Sequence, residues 1–290
     1  MILILALVCA AALASVSCRK EEEKDEAVPD SAGAPQAEED AQEAPAPKPS
    51  ALSLKSGAKV KLDEEGRVTR KSVYRLKSGT RITRREIKKT GGASRYFRIY
   101  RIRRGDRVFK RINGRSYREN PSVSLDDLRY IKTLYRDFDG KTRTGEIIVH
   151  KDVAKDTMEV FRELYKAKYE IRKMRLVDDY WKEGGSGTDA DTASMNDDNT
   201  SGFNYRTVAG TSTISRHGSG RAIDVNPFEN PWCPGGKLYR NQSASAAYAD
   251  RGKRLPHMIY SDSVVTKIFK EHGFRWLGET GTRDYQHFEK

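Results

Sequence analysis

Apolar residues recur at helical spacing in two segments of the C-terminal half. The first run follows Asp152, and the second precedes Gly273, a residue type that commonly ends helices. Two short apolar runs are typical of strands: GEIIVH lies just before the first helix, and RAIDV lies between the two helices. The pattern predicts an α+β domain at residues 121–290, long enough for one well-packed core. The helical positions are Val153, Thr157, Val160, Phe161 and Leu164 in the first run, and Val264, Val265, Ile268 and Phe269 in the second.

A different pattern marks residues 51–120, here called the basic segment. Apolar and basic residues alternate in RYFRIYRIR at 95–103, and the pair Asn113-Gly114 separates RVFKRI from RSYR. Such alternation is typical of strands, and Asn-Gly is a strong signal for a tight hairpin. The segment carries 23 Lys and Arg against 6 Asp and Glu, a net charge of +17. We therefore predict a small, basic, β-rich module here.

The charge of the basic segment indicates an anionic partner. The whole chain has a net charge of +13, so the positive charge is concentrated in this one segment. An anionic polymer or an anionic membrane surface would fit. Nucleic acid is the commonest polyanion that lysines meet, but the export signal described next argues against it. A solvated basic face without a specific partner is the remaining interpretation.

The first fifty residues predict export. Residues 2–17 are small and aliphatic, too short for a membrane span of about 20 residues and of the length of a signal-peptide core. Residues 1–18 are therefore interpreted as a lipoprotein-type signal peptide in which Cys18 is lipidated. A plain secretory signal is the alternative, because no Lys or Arg precedes the core and Ser15 stands where leucine is usual. Residues 19–50, acidic and rich in Ala and Pro, predict a disordered tether for an extracytoplasmic protein anchored in a bacterial envelope.

The strongest chemical signal lies in two strings, SRHGSGRAIDVNP at 215–227 and DYQHFE at 284–289. A catalytic zinc takes three imidazole or carboxylate ligands, leaves a fourth position for water and needs a nearby carboxylate to take the proton of that water. His217 and Asp224 are seven residues apart across two glycines, so the loop between them can aim both at one point. His287 would supply the third ligand.

Asp284 is then left as the general base. It lies three residues before His287, a spacing that brings both side chains to one side of a turn but to opposite faces of a strand, so we expect a turn. A single histidine is more often structural than a metal ligand. We interpret His150, His257 and His272 in that way.

The two strings carry a resemblance to a known family. SRHGSGRAID fits the SxHxxGxAxD pattern of the VanY-type and VanX-type zinc peptidases, the D-alanyl-D-alanine carboxypeptidase family. DYQHFE fits their second motif, an acidic residue three positions before a histidine. The similarity extends over roughly residues 122–290 and includes SMNDDNTSGFNYRTVAG at 194–210. One departure is WLGETG at 276–281, where the family often reads WGGxW, and it puts the shape of one pocket wall in doubt.

The resemblance implies a role for each residue of the metal site. His217, Asp224 and His287 would bind one zinc ion per chain. A zinc-bound water would attack a peptide carbonyl with Asp284 as general base, and a pKa near 7 for such a water suits this role.

The resemblance also implies residues that contact the substrate. Arg206 would hold the developing oxyanion or a substrate carboxylate, as a rigid cationic fork can, while a surface arginine is the plainer interpretation. Ser215 would donate a hydrogen bond to the substrate, unless it serves as a cap or in a turn. Trp276, which the family pattern retains, would contribute to the substrate pocket.

Fold and reaction are implied in the same way. The family fold is a small antiparallel sheet flanked by helices, of the hedgehog and DD-peptidase type. The implied function is an exported zinc-dependent peptidase that hydrolyses peptide bonds in peptidoglycan stem peptides, as a D,D-carboxypeptidase or an L-Ala-D-Glu endopeptidase. The basic segment of such a protein would meet an anionic wall polymer, an anionic membrane surface or the carboxylates of peptidoglycan. The alternative is a non-catalytic cell-wall-binding protein with a retained metal site.

Overall fold

Two long antiparallel strands form the centre of the fold in this computed structural model, which describes residues 50–208 and 211–290. The predicted signal peptide with Cys18, and nearly all of the predicted tether, lie outside the described residues. The residues that are described belong to one compact unit. No helix in these two ranges is both long and apolar enough to cross a bilayer.

Helices and strands are mixed along the chain, and both three-stranded sheets are antiparallel, as in an α+β fold. The strands are β1 Ala51–Ser53, β2 Lys59–Lys61, β3 Arg98–Arg101, β4 Leu128–Arg136, β5 Thr142–His150, β6 Lys173–Met174, β7 Asn199–Thr200, β8 Ala222–Asp224, β9 Arg275–Trp276 and β10 His287–Glu289. The helices are α1 Arg70–Arg75, α2 Arg84–Lys89, α3 Arg107–Ile112, α4 Ala154–Lys166, α5 Gly187–Asn196, α6 Ala246–Ala249 and α7 Val264–Glu271. Both helices predicted from apolar spacing are therefore confirmed, as α4 and α7.

The basic segment is not the β-rich module that its sequence suggested. It contains three short helices, and the predicted hairpin at Asn113-Gly114 is wrong because RVFKRI forms α3. The side chain of Asp106 accepts a hydrogen bond from the Phe109 N–H at 2.7 Å and so caps this helix. Val108 and Ile112, four residues apart, then lie on one buried face of the helix. Of the alternating run at 95–103, only Arg98–Arg101 is a strand.

The basic segment shares a sheet and a core with the residues that follow it. Strand β3 pairs antiparallel with β4, which pairs in turn with β5. The boundary predicted at residue 120 thus lies between elements of a single core rather than between separate cores. Side chains of this core come from both sides of that boundary: Val60, Val73, Tyr96 and Phe97 from the basic segment, and Phe161, Phe269 and Phe288 from the later elements.

A second three-stranded sheet, in the order β8-β10-β9, positions the candidate site. His287 of β10 lies directly opposite Asp224 of β8, and Phe288 lies opposite Ile223. Because neighbouring residues of a strand point to opposite faces, Phe288 packs into the core while His287 faces the other side. The turn expected before His287 is present, since the His287 N–H donates to the Asp284 carbonyl oxygen at 3.3 Å. The structure confirms the α+β class, while the closer likeness to the family fold stays a prediction.

Candidate metal centre and its cleft

Three of the residues singled out in the sequence form one buried cluster. Donor atoms of His217, Asp224 and His287 all lie within 4.8 Å of one another. The carboxylate of Asp224 is 3.2 Å from Nε2 of His217 and 3.0 Å from Nδ1 of His287. These two ring nitrogens are 3.2 Å apart. Among the described residues this is the one group of three such side chains that could hold a metal ion.

The backbone brings the three side chains together in two ways. His287 and Asp224 are cross-strand partners in the β10–β8 pair, so their side chains lie on the same face of the sheet. His217 comes from the turn that precedes β8. Gly220 makes this turn possible, because its φ is +69° and an added Cβ would lie 2.7 Å from the His150 backbone nitrogen. The glycine at position 220 of the motif thus has a steric cause.

Hydrogen bonds orient both imidazoles toward the cluster. Nδ1 of His217 lies 2.8 Å from the Gly202 carbonyl oxygen, which can only accept, so this nitrogen carries the proton and Nε2 presents its lone pair. On the other ring, Nε2 of His287 lies 3.4 Å from a carboxylate oxygen of Glu289. Ligating histidines typically have such a partner on the second nitrogen. Two nitrogen donors and one carboxylate, fixed in this way, fit a catalytic zinc site.

The buried charges of the cluster stabilise one another. Burial alone would raise the pKa of Asp224, but the adjacent imidazoles of His217 and His287 hold it well below the usual range. Burial opposes protonation of His287, yet the carboxylates of Asp224 and Glu289 raise its pKa to about 10. A divalent cation would replace this proton as the positive charge between the carboxylates.

Asp284 lies in the same cleft as the cluster. Its backbone pairs with Trp232, and its side chain lines the cleft, which encloses about 310 Å³ and is here called the metal cleft. Burial raises the pKa of Asp284 to about 7, while the His287 imidazole opposes the rise. Its buried Oδ1 has no hydrogen-bond partner within the described part of the chain. A carboxylate in this state can accept a proton from a molecule bound in the cleft.

Arg206 and Ser215 also line the metal cleft. The guanidinium of Arg206 is held by Asp191 of α5, whose Oδ2 lies 2.6 Å from Nη2. Only 15% of the Arg206 side chain is exposed, so it is not the surface arginine of the plainer interpretation. Oγ of Ser215 accepts a hydrogen bond from the His217 N–H at 3.3 Å, which is the turn role left open by the sequence.

Trp276 is placed away from the metal cleft. Its side chain is buried in the core, and its Nε1 donates to the Tyr285 carbonyl oxygen at 2.9 Å. The structure therefore does not bring Trp276 into the metal cleft. Instead, Trp232 lines the cleft together with Tyr239, their rings 4.7 Å apart. Leu277, in the segment that departs from the family pattern, also lines the cleft.

Sequence reasoning missed three partners of the site residues. Glu289 could have been found, because it lies two residues after His287 and alternation along a strand puts both on one face. Asp191 is 15 residues before Arg206, and nothing in their spacing indicates an ion pair. The Gly202 carbonyl is backbone and has no signal in sequence.

A buried His–Asp–His cluster with a carboxylate in the same cleft is an arrangement of metal-dependent hydrolases. The sequence model of the D-alanyl-D-alanine carboxypeptidase family matches residues 209–290, a range that contains the whole cluster and Asp284. This match confirms the family that the two motifs suggested, for this C-terminal part of the chain, and supports a peptidase. No curated protein and no solved structure matches the chain.

Proposed function

We propose that this protein is an exported zinc-dependent peptidase that hydrolyses peptide bonds in the stem peptides of peptidoglycan. The observation that carries the proposal is the buried cluster of His217, Asp224 and His287 in one cleft with Asp284. The family match over residues 209–290 supports the peptidase class and, through it, the choice of zinc.

The three cluster residues would hold the zinc ion. Bound there, zinc would supply Lewis-acid activation of a water molecule near neutral pH. Asp284 is the general base: its carboxylate takes a proton from the attacking water and passes it to the leaving amine. Its partly buried, raised-pKa environment matches this task, since a catalytic base works best when its pKa is near the operating pH.

Arg206 binds the substrate oxygen in this proposal. Its guanidinium reaches the cleft wall already oriented by Asp191, so little side-chain entropy is lost when the substrate binds. A positive group in a nearly buried position stabilises either an oxyanion that develops during attack or a carboxylate of a stem peptide. Ser215 also lines the cleft, and its hydroxyl accepts a hydrogen bond from the His217 backbone N–H.

The bond that is cut depends on the cleft walls. Both a terminal D-alanine and an L-Ala-D-Glu bond remain candidates. Trp232, Tyr239 and Leu277 form an apolar part of the wall that would contact substrate side chains. The proposal also includes export through the N-terminal signal and a lipid anchor at Cys18. It further includes a polyanionic partner for the basic segment.

The decisive experiment compares Asp284→Ala with the parent protein. We expect zinc content to stay at one ion per chain and hydrolysis to fall by about 10²-fold or more, since general-base catalysis contributes that much. Asp262→Ala, an exposed aspartate outside the cleft, is the matched control and should keep full activity. Mass spectrometry of muropeptides from purified sacculi identifies the bond. Zinc binding without any release of fragments by the parent protein would favour the wall-binding alternative.

A further inference from the structure

A second concave surface lies apart from the metal cleft. Two adjoining cavities of about 380 Å³ and 260 Å³ share Ser78 and Arg175 in their walls. The basic segment supplies one wall through Lys77 and Ser78, and residues 137–143 and 172–175 supply the other. We call this surface the basic groove. It has no lining residue in common with the metal cleft.

The acidic side chains of the basic groove are already neutralised within the protein. Seven basic and four acidic side chains line it. Each of the four carboxylates lies within ion-pair distance of a lysine or arginine, which offsets its repulsion of an anionic ligand. The pairs are Asp137 with Arg143, Asp139 with Lys141 at 2.9 Å, Asp179 with Arg111 at 2.8 Å, and Glu146 with both Arg111 at 2.8 Å and the buried Lys132 at 3.7 Å.

Four cations of the basic groove are in surplus. Lys77, Arg107, Arg172 and Arg175 form no ion pair with any residue in the described ranges. Arg172 lies over the ring of Phe138 at 5.5 Å, and Arg175 over Tyr180 at 6.0 Å. A guanidinium that stacks on a ring keeps its N–H donors free at the edge, where they can bind phosphate in a bidentate manner.

We propose, on the basis of the exported, wall-acting function proposed above, that the basic groove binds a flexible wall polymer that carries one phosphodiester on each repeating unit. Such a chain can place successive negative charges in the two adjoining cavities, which would focus the field of the four surplus cations. Sparse carboxylates, such as those of stem peptides, would leave most of these cations unpaired.

Two alternative partners fit the groove less well. Membrane binding is strengthened by an apolar anchor, but the exposed large apolar residues of the described chain are Val208 and Val264, and neither lines the groove. Single-stranded nucleic acid would require free aromatic faces for its bases. Phe138 is instead stacked on His257 at 3.6 Å between ring centres, and Tyr135 is buried.

The test measures binding of poly(glycerol phosphate) to the full chain across a salt series. In Arg172→Gln/Arg175→Gln we expect affinity to fall at least about tenfold. The slope of log K against log salt should become shallower by about one to two, as the loss of one or two phosphate contacts predicts. Lys88→Gln/Lys89→Gln removes the same charge from the exposed end of α2, outside the groove, and should change affinity less than about twofold. Arg172→Lys/Arg175→Lys should recover the salt slope but only part of the affinity, because lysine lacks the planar fork.

Several results would overturn the proposal. Equal losses in the groove pair and the α2 pair would mean that only net charge matters. Tighter groove-dependent binding of polyuridylate, or of phosphatidylglycerol vesicles, would assign the groove to nucleic acid or to a membrane. Binding should be unchanged in Asp284→Ala, so a failure of groove binding is distinguishable from a failure of the proposed hydrolysis.

Discussion

Nη2 of Arg206 lies 2.6 Å from Oδ2 of Asp191, and the two side chains are only 15% and 8% exposed. Removal of one partner from a buried ion pair leaves the other charge uncompensated, which typically costs about 3–5 kcal/mol. We therefore expect Asp191→Ala to lower the free energy of unfolding by about 3 kcal/mol. Arg206→Met added to it should recover much of this loss. Denaturant unfolding of the two single variants and the double variant measures the coupling, and additive losses would contradict it.

The same pair predicts a kinetic effect. If Asp191 orients Arg206 toward the substrate, Asp191→Asn should lower kcat/KM while zinc content stays constant. Adding Asp191→Asn to Arg206→Met should then cause little further loss, because groups that act as a unit are not additive. Kinetics with a synthetic stem peptide tests this. A full additional loss in the double variant would show that Asp191 acts on its own.

Zinc should stabilise the folded protein through the cluster. A ligand present at about 100 times its dissociation constant adds about 2.7 kcal/mol to folding stability. We expect zinc to raise the Tm of the chelator-treated parent protein, and His217→Ala to lose most of this rise. His272→Gln is the matched control, since His272 lies at the end of α7 and bonds to Glu163. A zinc-induced rise that survives in His217→Ala would place the metal elsewhere.

Glu289 should tune the affinity for zinc without binding it. Its carboxylate lies 3.4 Å from the ring nitrogen of His287 that points away from the cluster. Loss of such an outer partner typically costs about 10- to 100-fold in metal affinity. We expect Glu289→Gln to weaken zinc binding by this factor in a competition titration with a chromophoric chelator. The exposed Glu271→Gln should bind zinc as the parent does.

A buried carboxyl pair away from the metal should make stability depend on pH. Glu229 and Asp198 are 6% and 7% exposed, and each has a side-chain oxygen without a partner in the described chain. Burial and the neighbouring Asp198 raise the pKa of Glu229 from 4.5 to about 9. The folded state thus holds a proton that the unfolded state has lost, so the free energy of unfolding should fall as the pH rises between these values.

Glu229→Gln keeps a neutral group at this position and should remove the pH dependence that comes from the pair. In urea unfolding at pH 5, 7 and 9, the free energy of unfolding of the variant should increase relative to that of the parent as the pH rises. The exposed Glu183→Gln provides the comparison and should follow the parent at every pH. Parallel pH profiles for Glu229→Gln and the parent would refute the raised pKa of Glu229.

Secondary structure could be predicted from the sequence where the apolar pattern fits one periodicity. The prediction was wrong where the pattern fits both a helix and a strand. The apolar spacing from Val153 to Leu164 fits only a helix, and this segment forms α4. RVFKRI alternates well enough for a strand, but its apolar residues also fit one face of a helix, and the cap from Asp106 decides between them. A capping residue just before an ambiguous run is therefore the signal to use.

The site was predictable to the extent that its residues share short motifs. His217 and Asp224 lie within one motif, and Asp284 and His287 within another, so their chemistry could be inferred from spacing. The partners that orient them depend on contacts across the fold, as the pairing of Asp191 with Arg206 and of Gly202 with His217 shows. Trp276 was retained from the family pattern, but only packing could show that its ring faces the core.

The direct opposition of His287 and Asp224 in the β10–β8 pair has a consequence for the strength of the site. The separation of these two side chains is set by backbone hydrogen bonds between strands of three residues each, before any metal binds. A shift of the pairing by one residue would turn His287 into the core and Phe288 into the cleft. Metal binding would therefore depend on strand alignment: only molecules with the correct register could bind the ion, and the bound ion would in turn stabilise that register.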